Sequence, residues 1–185
     1  MNKVFLSISV AVAAFLSLNW GANADVFQKS VPVCSDTVLV AQNLPPAYND
    51  TFNQNQAALL KALPFSVFYF PVSDGSLSLG EVAITAEGPY CTYKLTYFTT
   101  NGGRITIEGC NGGIGDIPQK SGFNAYTVKT SHGKGTAYLK ASSVKNKAVF
   151  YSQWLECKPQ TYCRFSAEDV PDKYIKGIAV GLTEL

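Results

Sequence analysis

The chain has 185 residues, with 15 lysines and arginines against 13 aspartates and glutamates, a formal net charge of +2, and 46% hydrophobic residues. That length is enough to bury a core, and the near-neutral balance, with no run of consecutive basic residues, gives no electrostatic footprint for nucleic acid or an anionic membrane surface. Beyond the N-terminus, no segment approaches the apolar length that a membrane-spanning helix needs.

Residues 1–24, "MNKVFLSISVAVAAFLSLNWGANA", join one lysine, an apolar run from Val4 to Leu18 and a small-x-small ending before Asp25. This is the pattern of a cleaved export signal; the competing reading, an uncleaved anchor, needs a longer apolar run. Cleavage after Ala24 leaves 161 residues carrying 14 basic and 13 acidic side chains. The expectation is one β-rich domain over 25–185, periplasmic or secreted, with no membrane span in the mature chain. Asp25 stands where a lipid-anchored form would have cysteine, so a lipid anchor is not indicated.

Helix signals are few. "NDTFNQNQAALLKAL" predicts one short helix near 51–62, capped by Asp50 or Thr51, with Phe52, Ala58, Leu59 and Leu63 as its apolar stripe and Pro64 at its end. Asn49 in the same stretch is a glycosylation sequon only in a eukaryotic source. Strands are predicted at 65–72, 77–86, 90–99, 104–109, 125–131, 136–142, 148–157 and 174–182, each rich in β-branched and aromatic residues and bounded by turn residues. "SAEDVPDKYI" offers a second, very short helix capped by Ser166 and cut by Pro171. Short, evenly spaced strands without alternating helices predict a mainly β fold, an antiparallel β-sandwich or barrel-like meander with one short N-terminal helix.

In "TTNGGRI" a three-residue loop with Gly103 left-handed sets Thr100 against Arg104, Tyr97 against Ile107 and Leu95 against Gly109, so the apolar positions share a face. "KTSHGKGTAY" reads as a further hairpin, and its "GKGT" lacks the spacing and following helix of a phosphate loop.

All five cysteines follow the signal: Cys34, Cys91, Cys110, Cys157 and Cys163. In an exported chain these predict disulfides, with an odd thiol left over. Cys157 and Cys163 enclose five residues with Pro159 placed for a turn, which favours a bridge between them. The register above puts Cys91 opposite Gly113 and Cys110 opposite Lys94, on different faces, so the second expected bridge is Cys34 to Cys91 and Cys110 is the odd thiol. Zinc would require a second pair of ligands that the single histidine, His132, does not supply, so no metal and no cofactor is expected.

Cys110 in "EGCNGGIGD", with His132 as base and Asp116 orienting it, is the sharpest catalytic hypothesis, since the glycines offer N–H donors to an oxyanion. The plainer reading is that glycines between strands make turns and that a histidine in "SHGKG" is an exposed loop residue. "GSLSLG" around Ser78 is not G-x-S-x-G, and Glu81, Glu87, Glu108 and Glu156 are not marked out as a catalytic pair.

A binding surface has a better warrant. Tyrosines are abundant, and in "YKLTYF" Tyr93, Leu95 and Tyr97 share one face while Phe98 points to the other, so both faces need cover. Tyr93, Tyr97, Phe98 and Trp154 are therefore the candidate contact residues, against the structural alternative that most aromatics pack the core. The early "VCSD", the central "YCTYKLTY" and the C-terminal "QWLECKPQTYCRF" resemble small exported bacterial proteins of a family with no characterised function. The resemblance implies a periplasmic or secreted β-rich domain, matches Cys34, Cys91, Cys157 and Cys163 but not Cys110, and carries over no catalytic residue. The functional expectation is a noncatalytic binding or accessory protein whose partner is another protein, a small molecule or a glycan; the alternative is a thiol-dependent enzyme using Cys110 and His132.

Overall fold

The computed structural model describes residues 34, 36–40, 47–72, 75–130, 134–171, 175 and 181–185. The predicted signal at 1–24 and His132 lie outside them, as does most of the strand predicted at 174–182. Strands β1 (Thr37–Val40), β3 (Leu77–Glu87), β4 (Tyr90–Thr99), β5 (Arg104–Cys110), β6 (Asn124–Lys129), β7 (Lys134–Ala141), β8 (Ala148–Ser152) and β10 (Thr161–Val170) form one antiparallel sheet in the order β1-β3-β4-β5-β10-β8-β7-β6. β9 (Leu155–Lys158) pairs with β10 off this path, and β2 (Phe68–Tyr69) pairs with β11 (Thr183–Glu184) in a small second sheet. The order does not close on itself, so the predicted class holds as a sandwich-like meander and the barrel alternative drops out.

Helix α1 (Gln54–Lys61) is where the sequence places it, but Asn53 caps it, not Asp50 or Thr51. Asn53 accepts from the Gln56 N–H at 2.9 Å while the Gln56 side chain accepts from the Asn53 N–H at 3.1 Å, a reciprocal cap. Thr51 is diverted to the N–H of Val72, 3.0 Å away, and so ties the helix entry to the end of the β2 segment.

The core lies between one face of the large sheet and a layer made of α1 and β2. Phe52, Leu60, Val67, Phe68 and Phe70 pack there on Val82, Tyr93, Leu95, Tyr97, Ile105, Ile107 and Phe165. The Tyr93–Leu95–Tyr97 face is thus covered by α1 and β2, not by a second sheet of comparable size.

The β4–β5 hairpin departs from the expected register. Phe98 faces Arg104, Tyr97 faces Ile105, Leu95 faces Ile107 and Tyr93 faces Gly109. The turn spans Thr99–Gly103, closed by Thr99 N–H to Gly103 carbonyl at 2.9 Å, with Gly102, not Gly103, in the left-handed region (φ 76°). An offset of two residues preserves which side chains share a face. That is why the apolar pattern alone does not distinguish the two registers.

Residues 161–170, part of which the sequence suggested as a helical turn, form the central strand β10. Cys163, Phe165, Ala167 and Val170 turn inward, while Arg164 and Glu168 pair outward across the sheet with Glu108 and Arg104. The single strand expected at 148–157 breaks at Gln153 and Trp154 into β8 and β9, because the Gln153 side chain binds the backbone N–H and carbonyl of Ile117 and so holds the 111–123 segment against the sheet.

Candidate functional site

The second face of the large sheet carries a row of charge. One rung of the ladder runs Ala83, Lys94, Glu108, Arg164 across β3, β4, β5 and β10, and the next runs Thr85, Thr92, Cys110, Tyr162. Because side chains alternate along each strand, these residues emerge opposite to Tyr93, Ile107 and Cys163 and miss the core. Glu108 stands between two cations and forms an ion pair with Arg164, whose guanidinium lies over the Trp154 ring at 4.8 Å from its centroid.

A cavity of about 560 Å³ opens over these rungs. Trp154 and Arg164 form one wall; the β3–β4 turn at Gly88 and Pro89, with Tyr90, forms the other. Tyr90 is 41% exposed, and its ring rests on Gly112 and Gly113, where a Cβ would lie 2.6 and 2.8 Å from ring carbons. Gly112 and Gly113 therefore seat an aromatic wall, where the catalytic hypothesis has them as oxyanion donors and the plainer reading as turn residues. Two smaller cavities, about 370 and 340 Å³, flank α1 and lack this alignment of charge with aromatic planes.

The residues singled out by sequence fall into separate places. Trp154 and Cys110 both line the cavity. Tyr93 and Tyr97 are fully buried: the Tyr93 hydroxyl accepts from the Phe68 N–H and donates to its carbonyl, both at 2.9 Å, and Tyr97 accepts from the Phe70 N–H at 3.2 Å. They brace β2 against the sheet and offer no surface to a ligand, which corrects their selection as contact residues. Phe98 is 46% exposed on the cavity's side of the sheet but does not line it; its ring covers Gly80, the bulge residue of β3. Lys94 and Arg164 were missed as binding candidates, because alternation reveals which strand residues point outward but not which outward residues have walls beside them.

Cys110 is buried beneath the rim. Burial pushes its thiol up, outweighing the Gly112 N–H and Arg164, which pull it down. Asp116 is exposed on the 111–123 segment and does not line the cavity. Glu108 raises the Cys110 thiol further, so Cys110 lacks the lowered pKa that marks an activated thiol nucleophile.

The expected Cys34–Cys91 bridge is formed, with a Cα separation of 5.8 Å, and ties the start of the described chain to β4. The bridge expected between Cys157 and Cys163 is not closed: Cys110, Cys157 and Cys163 stand as separate thiols. Among the described residues, no three His, Cys, Asp or Glu side chains come together as a metal site, and no helix is long and apolar enough to cross a membrane. Comparison with protein-family models, curated proteins and solved structures finds no match to this chain.

Proposed function

We propose that this chain is an exported, noncatalytic binding protein that takes a neutral, hydroxyl-rich ligand of saccharide type between Tyr90 and Trp154. The observation that carries this reading is the Lys94–Glu108–Arg164 row running between two aromatic walls. Lys94 and Arg164 are balanced by Glu87 and Glu108 along the same lining, so a ligand with strong net charge of either sign gains little there. Hydroxyl groups both donate and accept, and closely alternating cationic donors and carboxylate acceptors suit them. The ring faces of Tyr90 and Trp154 supply the apolar contact that the C–H face of a sugar needs. The signal-like residues 1–24 and the Cys34–Cys91 disulfide support placement in an oxidising, exported compartment. The raised thiol of Cys110 favours binding over thiol catalysis.

Trp154 is the only tryptophan after Trp20, so in the chain from Asp25 onward its emission reports on this cavity alone. Titration with soluble hexasaccharides of glucose and of N-acetylglucosamine should give a saturable change in emission, which Tyr90→Ala and Lys94→Ala abolish and Phe98→Ala leaves in place. Saturable binding of a charged peptide with no response to any sugar would keep the cavity and replace the ligand class. Silence to every probe would remove the binding reading itself.

A further inference from the structure

Two of the three remaining thiols share one face of one hairpin. In the β9–β10 pair, Leu155 faces Cys163 and Glu156 faces Tyr162, but Thr161 faces Lys158, so Cys157 is the extra residue of a bulge. A bulged residue has no ladder partner, and its side chain is re-aimed by the local twist. Here Cys157 turns inward, and its sulfur meets both the thiol and the backbone N–H of Cys163. Cys163 is wholly buried, with the Tyr93 hydroxyl 3.8 Å from its sulfur. Cys110 is not a competitor for Cys163: it faces Tyr162 on the outer rung, while Cys163 faces Gly109 on the inner one.

We propose that Cys157 and Cys163 are joined in the exported protein as its second disulfide, by thiol–disulfide exchange with a disulfide-bearing oxidant of that compartment, leaving Cys110 as the single thiol. Cys157, which the bulge leaves without a ladder partner, attacks first. Its thiolate displaces one sulfur of the oxidant and forms a mixed disulfide. The Cys163 sulfur then gives up its proton and displaces the oxidant's second sulfur from Cys157. In total two protons and two electrons pass to the oxidant, which leaves as a dithiol or as two thiols. Both sulfurs are buried in the folded chain, so the exchange precedes docking of the hairpin on the core. The closed ring lies directly behind the cavity wall: Arg164 follows Cys163, and Trp154 lies three residues before Cys157. The bond thus fixes the strand pair that carries the Trp154–Arg164 stack.

The test uses the full chain exported into an oxidising compartment. Thiols are alkylated on the native protein, then alkylated again with an isotopically heavy reagent after unfolding without reductant, and the products are digested with trypsin. Lys158 precedes Pro159 and resists cleavage, so residues 148–164 form one peptide holding both cysteines, while Cys110 falls on residues 105–120. The expected result is a 148–164 peptide lighter by two hydrogens and free of alkyl groups, with Cys110 alkylated, and full alkylation of Cys163 in a Cys157→Ser variant. Two alkyl groups on the 148–164 peptide, or a crosslink between it and 105–120, overturns the proposal.

Discussion

The Tyr93 hydroxyl bonds both the N–H and the carbonyl of Phe68, and it reaches them only because Gly109 lies beneath its ring. A Cβ at 109 would stand 2.2 Å from a Tyr93 ring carbon. Gly109→Ala therefore forces a buried, doubly bonded side chain to move, and it should cost about 2–3 kcal/mol in urea unfolding. Gly80 gives the contrast: its Cβ would meet the Phe98 ring at the same 2.2 Å, but Phe98 is an exposed side chain that can swing away. Gly80→Ala should cost less than about 1 kcal/mol. Equal costs at the two positions would contradict this account. Neither demand is visible in the sequence, where "IEGC" and "SLGE" look like comparable breaks in a strand; what separates them is the side chain lying across each.

At the scale of elements, α1 is only 8 residues long and its apolar stripe is rough, so its reciprocal cap matters. Asn53→Ala should lower stability by about 1 kcal/mol, measured by thermal or urea unfolding, whereas Asp50→Ala should leave it unchanged. The existence of the helix was legible from its stripe and from Pro64. Its cap was not, because Asn49, Asp50, Thr51 and Asn53 all qualify chemically, and tertiary bonds to Val72 and Tyr69 claim two of them. β10 was hidden for a related reason. Its period-two pattern is present in Cys163, Phe165 and Ala167, but the local sequence "SAED" carries the chemistry of a helix start, and pairing with β5 and β8 overrides it. The disulfide between Cys34 and Cys91 was reached from face parity, which survives a two-residue error in register. Half of the cavity was legible in the same way: Trp154 and Cys110 were marked by residue type, while Lys94, Glu108 and Arg164 acquire meaning only when three strands align them on one rung.

For the molecule as a whole, burial of tyrosine hydroxyls sets an alkaline limit. Burial pushes the Tyr97 phenol well above its ordinary value, against the Phe70 N–H that lowers it, and Tyr93 is raised by burial and then by neighbouring Cys163. Below about pH 10 both phenols are protonated, folded or unfolded, and nothing is lost. Above it the unfolded chain releases protons that the folded chain keeps, so stability falls as pH rises, by up to about 1.4 kcal/mol per pH unit for each tyrosine. Urea unfolding between pH 8 and 11 should trace that fall, and Tyr97→Phe should flatten its slope; an unaltered slope in that variant would sink the assignment.

The two ends of the large sheet are secured by different means. β1 is followed back along the chain to Cys34, which is bonded to β4 through Cys91, whereas β6, Asn124–Lys129, contains no cysteine and is held by ladder hydrogen bonds to β7 and by packing of Val128 and Tyr126 on the core. One border is riveted and the other is zipped and packed. Unravelling under load, and accretion of a second copy by strand addition, therefore have a preferred starting point at β6, and a covalent clasp there would close the molecule's open margin.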